Sequence, residues 1–145
     1  MFTQEKLYEP YPEPDAYWRA RWPNFQPGEF ACNCNGRFCN HSYYHDPDLL
    51  TKLQMLRRQN GALFINSGHR CETWNRLEGG ASKSRHLGLA VDIRLHNHDR
   101  FKLRESAEVI GFTGFGLGLN FLHLDCRPEL TVWDYDKASR LAWNR

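Results

Sequence analysis

Residues 67–92 read SGHRCETWNRLEGGASKSRHLGLAVD, and residues 120–127 read NFLHLDCR. The first stretch ends in an alternating run, Leu89–Leu95. Leu89, Val91, Ile93 and Leu95 fall on one side of a strand, and Ala90, Asp92 and Arg94 on the other. The second holds another strand, Phe121–Cys126, with Phe121, His123 and Asp125 on one face. Polar residues interrupt both strands. Asp92 has apolar neighbours on either side, and a buried carboxylate is costly unless it is paired or bound to metal. His86 stands six residues before Asp92. Two imidazoles and a carboxylate, His86, His123 and Asp92, can therefore converge. Three protein ligands with a fourth position open to water is the usual catalytic zinc arrangement.

Outward from these strands, the pattern predicts an α+β domain with a small antiparallel sheet flanked by helices. Asp46 caps a helix that Pro47 opens, with Leu49, Leu50, Leu53 and Leu56 on its inner side and Asn60-Gly61 as its stop. Residues 62–66 (ALFIN) form a short strand, 72–78 a helical turn, and about 99–110 a second helix carrying Leu103, Ala107 and Ile110. Gly111 to Gly118 reads as a glycine-spaced connection. No regular βαβ alternation is present, which separates this chain from doubly wound folds. Residues 1–30 carry five of the seven prolines among many aromatics. That stretch is expected to be an extended arm anchored on the domain by its rings, with residues 31–145 forming the domain proper.

The composition bounds the function. A chain of 145 residues is one domain. With 41% hydrophobic and 25% charged residues it is globular, and a net charge of +2 gives no basic face for nucleic acid. No run is long enough to span a membrane. The start, MFTQEKLYEP, lacks the basic-then-apolar pattern of a leader.

The SGHR motif, the GGASKSRH run followed by G-x-A-x-D, and the F-x-H-x-D close resemble the zinc D-alanyl-D-alanine carboxypeptidase superfamily, whose fold is shared with the hedgehog signalling domain. The murein-endopeptidase branch, whose last motif reads N-F-x-H-x-D, is the most similar. The resemblance runs from about Phe30 to Arg127. It implies that His86, Asp92 and His123 hold Zn²⁺, that Arg70 polarises the scissile carbonyl, and that Ser84 and Asn120 contact substrate. It implies hydrolysis of peptide bonds in bacterial peptidoglycan, at D-amino-acid stem peptides or cross-links, by a monomer. The expected place of action is the cell wall, reached from the cytoplasm as a phage lysis enzyme would reach it. Two positions depart from the family pattern. The spacer from His86 to Asp92 is one residue shorter than H-x-x-G-x-A-x-D, and Asn120 stands where carboxypeptidase branches place an acid. Asp125 is then the candidate general base, or the residue that orients His123, or an ion-pair partner of Arg127 or Arg70. The rival of another class is a zinc-containing module that binds peptidoglycan or a partner without cutting.

The five cysteines leave two readings. Cys32, Cys34 and Cys39, with His41, can hold a structural Zn²⁺ that Cys71 or Cys126 completes. Alternatively the loop is joined by disulfides, for example to Cys71, and this is the preferred reading. His96 and His98 read as solvated loop histidines, while His45 and His69 have no assigned place.

Overall fold

The computed structural model describes residues 7–78 and 90–144. Its helices are α1 (Ala16–Arg21), α2 (Pro47–Asn60), α3 (Glu72–Leu77), α4 (Arg100–Ile110) and α5 (Lys137–Ala142), with a 3-10 turn at Pro27–Phe30. Its strands are β1 (Ile65–Ser67), β2 (Ala90–Arg94), β3 (Gly114–Leu117), β4 (Phe121–Asp125) and β5 (Thr131–Asp134). They form one sheet in the order β1-β2-β4-β3-β5. Every pairing is antiparallel except that of β3 with β5. The α+β reading holds, and the helices flank the sheet.

Local chemistry explains the elements. The Asp46 carboxylate accepts from the Asp48 N–H at 3.0 Å, Pro47 needs no partner for a missing N–H, and Gly61 ends α2 at φ 83°. Leu50, Leu53 and Leu56 of this helix are wholly buried, each contributing about 2 kcal/mol of apolar burial. Helix α4 starts under Asp99, which accepts from the N–H groups of Phe101 and Lys102, and it packs on α2 through Leu103 and Ala107. The strand expected over 62–66 lies instead at Ile65–Ser67, because Ser67 and Ile65 are the residues that pair with Asp92 and Ile93. Among the described residues, no helix is long and apolar enough to cross a membrane.

The proline-rich start is not extended throughout. Asp15 caps α1 by accepting from the Trp18 N–H at 2.8 Å, which makes a helix of six residues between prolines. Trp18, Trp22, Phe25 and Phe30 are buried in the same core as the leucines of α2 and the inner residues of the sheet. Trp18 Nε1 donates to the Phe25 carbonyl at 2.8 Å, and Trp22 Nε1 to Thr51 Oγ1 at 3.2 Å. Both indole N–H groups are thus paired while the rings are buried.

His45 belongs to this aromatic nest. Its ring centroid lies 5.9 Å from that of Trp18, 5.7 Å from that of Trp22 and 5.3 Å from that of Tyr43. Burial pulls its pKa down to about 4. In the unfolded chain it titrates near 6.5. The folded value is depressed, so its contribution is complete above pH 6.5 and is lost as the pH falls from there toward 4. That loss is on the order of 3 kcal/mol. The His45→Gln variant should lose correspondingly less stability than the wild type between pH 7 and pH 4 in urea titrations. Parallel acid limbs would show that His45 is not a buried neutral group.

Candidate active site

Pairing of β2 with β4 sets Asp92 opposite His123 and Ala90 opposite Asp125. That register brings three polar side chains together. His123 Nδ1 lies 3.1 Å from Asp92 Oδ1, and His123 Nε2 lies 2.8 Å from Asp125 Oδ2. Asp125 is gripped further by Arg127: its Oδ1 accepts from the backbone N–H at 3.1 Å and from Nε at 2.8 Å, and its Oδ2 from Nη2 at 2.6 Å. Asp125 is wholly buried and His123 nearly so.

The electrostatics follow from this clamp. Burial opposes ionisation of Asp125, but the Arg127 guanidinium and His123 outweigh it and hold the carboxyl well below the usual range. Burial likewise opposes a charged His123, yet hydrogen bonds to Asp125 and Asp92 raise its pKa overall. An imidazole between two carboxylates is a place for positive charge, carried by a proton or by a metal ion.

The donor set fits zinc. Tetrahedral zinc with bonds of about 2.0–2.1 Å sets neighbouring nitrogen and oxygen ligands about 3.3 Å apart. The 3.1 Å between Asp92 Oδ1 and His123 Nδ1 matches such an edge. A zinc-bound histidine commonly gives its other ring N–H to a carboxylate, and Asp125 stands at that nitrogen. His86 and Ser84 lie outside the described residues, so the third ligand of the sequence reading has no described position.

The SGHR motif serves this site residue by residue. Ser67 pairs with Asp92 across β1 and β2, and its Oγ accepts from Arg70 Nε at 3.1 Å. Gly68 meets the 3-10 turn so closely that a Cβ would come within 2.8 Å of the Phe30 backbone. His69 is buried, with Nε2 3.2 Å from Ser42 Oγ, and its N–H donates to the Phe30 carbonyl at 2.8 Å. Arg70 Nη2 lies 3.7 Å from Asp92 Oδ2, the oxygen turned away from His123. Beside Arg70 runs a groove of about 460 Å³ lined by residues that include Glu9, Phe38, His69, Glu72 and Thr73.

Asn120 is not brought to this cluster. It lies in a separate groove with Asn66, Arg94, His96 and Arg100, and its carbonyl accepts from the Leu95 N–H. His98 is tied to the Ala62 carbonyl at 2.9 Å, so it is not simply solvated. His41 is exposed, at φ 50°. None of the five cysteines is joined in a disulfide in this structure, and Cys32, Cys34, Cys39 and Cys71 cluster beside Arg70.

Two groups of site residues escaped the sequence reading. The connection at 111–118 contains strand β3, whose Gly114 and Gly116 lie opposite Asp125 and His123. A Cβ on Gly114 would overlap the Asp125 carboxylate, and one on Gly116 would come within 2.8 Å of His123 Cβ. Glycine here makes room for the clamp, so it is not a sign of a loop. The second group is on and after β5. The Trp133 ring lies 5.0 Å from that of His123, and the Arg127 guanidinium lies 4.7 Å from its centroid. Burial and the neighbouring Asp92 charge push the Tyr135 phenol up to about 12, keeping it protonated. The alternating aromatic and β-branched run TVWDY was the available signal.

A profile of the family described as Peptidase M15 matches residues 23–125. No curated protein matches the chain. Gly114→Ala is expected to displace Asp125, cost about 1–3 kcal/mol by overpacking, and weaken zinc binding about 10–100-fold through the misplaced orienting carboxylate. Denaturant melts and competition against a metal-sensitive dye measure the two. Unchanged zinc affinity would show that Asp125 does not orient His123.

Proposed function

The chain belongs to the Peptidase M15 family and is a metallopeptidase, and from that premise we propose that it hydrolyses peptide bonds in the stem peptides or cross-links of bacterial peptidoglycan. The observation that carries this reading is the His123 clamp, with Asp92 on one ring nitrogen, Asp125 and Arg127 behind the other, and Arg70 alongside. Asp92 and His123 are two of the zinc ligands. His86 is the third, from its place in the sequence. Zinc held there supplies a Lewis acid for the scissile carbonyl and lowers the pKa of a coordinated water toward about 7.

The chain's own groups do the rest. Arg70, fixed by Ser67 Oγ and facing Asp92, places a permanent positive charge where the carbonyl oxygen becomes an oxyanion. Asp125 acts as a positioning residue. Among the described residues its carboxylate bonds to His123 and Arg127, and it is wholly buried, so it holds the imidazole and does not reach substrate. Tyr135, protonated and close enough to Asp92 and Arg70 to feel their charges, is suited to donate a hydrogen bond at the same place. The groove beside Arg70 gives an extended peptide room to lie against Phe38, Glu72 and Thr73.

The second reading is a zinc-holding module that binds wall peptide without cutting. It is favoured by one observation: the Asp125 carboxylate is engaged by His123 and Arg127, while Asn120, an amide, is no base. Purified peptidoglycan distinguishes the two. Hydrolysis releases new amine ends, which should appear with wild type and fall at least 100-fold with His123→Ala. Saturable binding with no new amine ends would overturn the enzymatic reading. Asp125→Asn separates orienter from base. As an orienter it should weaken zinc about 10–100-fold and recover activity at saturating zinc. Lost turnover at full zinc occupancy would make Asp125 the base.

A further inference from the structure

The clamp leaves one set of metal-binding side chains unused. Cys32, Cys34 and Cys39 come from the loop between the 3-10 turn and α2, and Cys71 comes from the N-cap of α3. Their four Sγ atoms all lie within 4.8 Å of one another. Cys32 and Cys34 are buried, and Cys39 and Cys71 are partly so. We propose that these four cysteines hold a structural zinc ion, separate from the His123 site, which ties the N-terminal loop to the SGHR motif.

The geometry is that of a tetrahedral thiolate site. Zn–S bonds of about 2.3 Å place the sulfurs of such a site about 3.8 Å apart. Cys34 Sγ and Cys39 Sγ are 3.6 Å apart. A disulfide would draw one pair to about 2 Å and would leave the convergence of all four without a reason. A tetrahedral set of four sulfurs suits zinc or iron, and a closed four-cysteine set is a usual structural zinc arrangement.

The backbone is shaped to the same end. Asn35 at φ 61° and Gly36 at φ 78° turn the chain back within the loop, so that Cys34 and Cys39 face each other. Donors point at sulfur. The Cys71 N–H donates to Cys32 Sγ at 3.3 Å, and the Ser42 N–H and Oγ–H to Cys39 Sγ at 3.5 and 3.2 Å. Such bonds offset the double negative charge of four thiolates on one zinc ion and fix their directions. Binding converts four thiols to thiolates and releases four protons, with no oxidant or reductant involved. Cys126 stands apart from the cluster as a fifth thiol, a built-in control.

The experiment counts zinc and thiols in the full chain, purified without chelator. Wild type should hold about two zinc ions, and His123→Ala and the Cys34→Ser/Cys39→Ser double variant about one each. If the double variant does not fold, His123→Ala decides alone. There, a strong chelator without reductant should make four further thiols reactive and lower the melting midpoint, and cobalt should give an intense thiolate-to-metal charge-transfer band. Thiols that stay masked until reductant is added would overturn the proposal in favour of disulfides, and thiols that react fully before chelation would overturn it in favour of free cysteines. A wild type with one zinc that His123→Ala abolishes refutes the thiolate site and leaves the peptidase reading intact. Loss of activity in a His123→Ala protein that keeps its thiolate zinc separates the two sites the other way.

Discussion

The rest of the molecule is arranged around one constraint: an imidazole buried between two carboxylates must have its charges satisfied on every side. His123 meets Asp92 through one nitrogen and Asp125 through the other, and Asp125 is held by Arg127. A buried charge left unpaired costs several kcal/mol, so each partner needs its own support. Ser67 supports Arg70, which faces Asp92. Trp133 covers both His123 and Arg127 with its ring. The sheet order sets Asp92, His123 and Asp125 on β2 and β4, inside the sheet.

The clamp also explains a strand in which every second residue is glycine. The His123 and Asp125 side chains lean over β3 so closely that a Cβ opposite them would collide. Over β3 and β4 the space belongs to Asp125 and His123, so Gly114 and Gly116 stand opposite them. Glycine weakens a strand through lost burial and greater chain entropy. Here the weakness is offset by pairing on both sides, with β4 antiparallel and β5 parallel. The same emptiness defeated the sequence reading. Phe115 and Leu117 do alternate with glycine, but glycines at this spacing read as a loop until the side chains they make room for on β4 are known. By contrast β2, β4 and the helices α2 and α4 were legible, because their leucines, caps and stops each carry a local signal that packing did not overrule. The N-terminal segment was half legible. Its rings do anchor it, but Asp15 starts a helix within it that a count of prolines does not suggest.

At the site, the pairing of Asp92 with His123 was readable because a polar residue in an apolar strand calls for a partner. Arg70 was found through SGHR as a motif, while the reason for the motif lies in three dimensions. Each residue answers a different neighbour: Ser67 the guanidinium, Gly68 the backbone of Phe30, His69 the hydroxyl of Ser42, Arg70 the carboxylate of Asp92. No local property of four residues encodes contacts with partners spread from Phe30 to Asp92. Asn120 stands one residue before β4, on the bend that brings its carbonyl to the Leu95 N–H, and lies in a groove separate from the clamp.

The cysteine cluster and the clamp meet at one peptide bond, between Arg70 and Cys71. A guanidinium is useful to a developing oxyanion only if it is held to within a fraction of an ångström, and Arg70 sits on the short link between β1 and α3. On its N-terminal side the link is pinned by Gly68 against Phe30. On its C-terminal side it is pinned by Cys71, whose N–H reaches Cys32 Sγ and whose own sulfur joins the four-thiol cluster. Thiolates and the nitrogen-oxygen clamp differ in ligand type, so two zinc ions can occupy the two places without exchanging roles. On this argument the loop at 31–45 serves the site twice: Phe38 lines the groove beside Arg70, and the loop's cysteines, through Cys71, help to fix where the charge of Arg70 comes to rest.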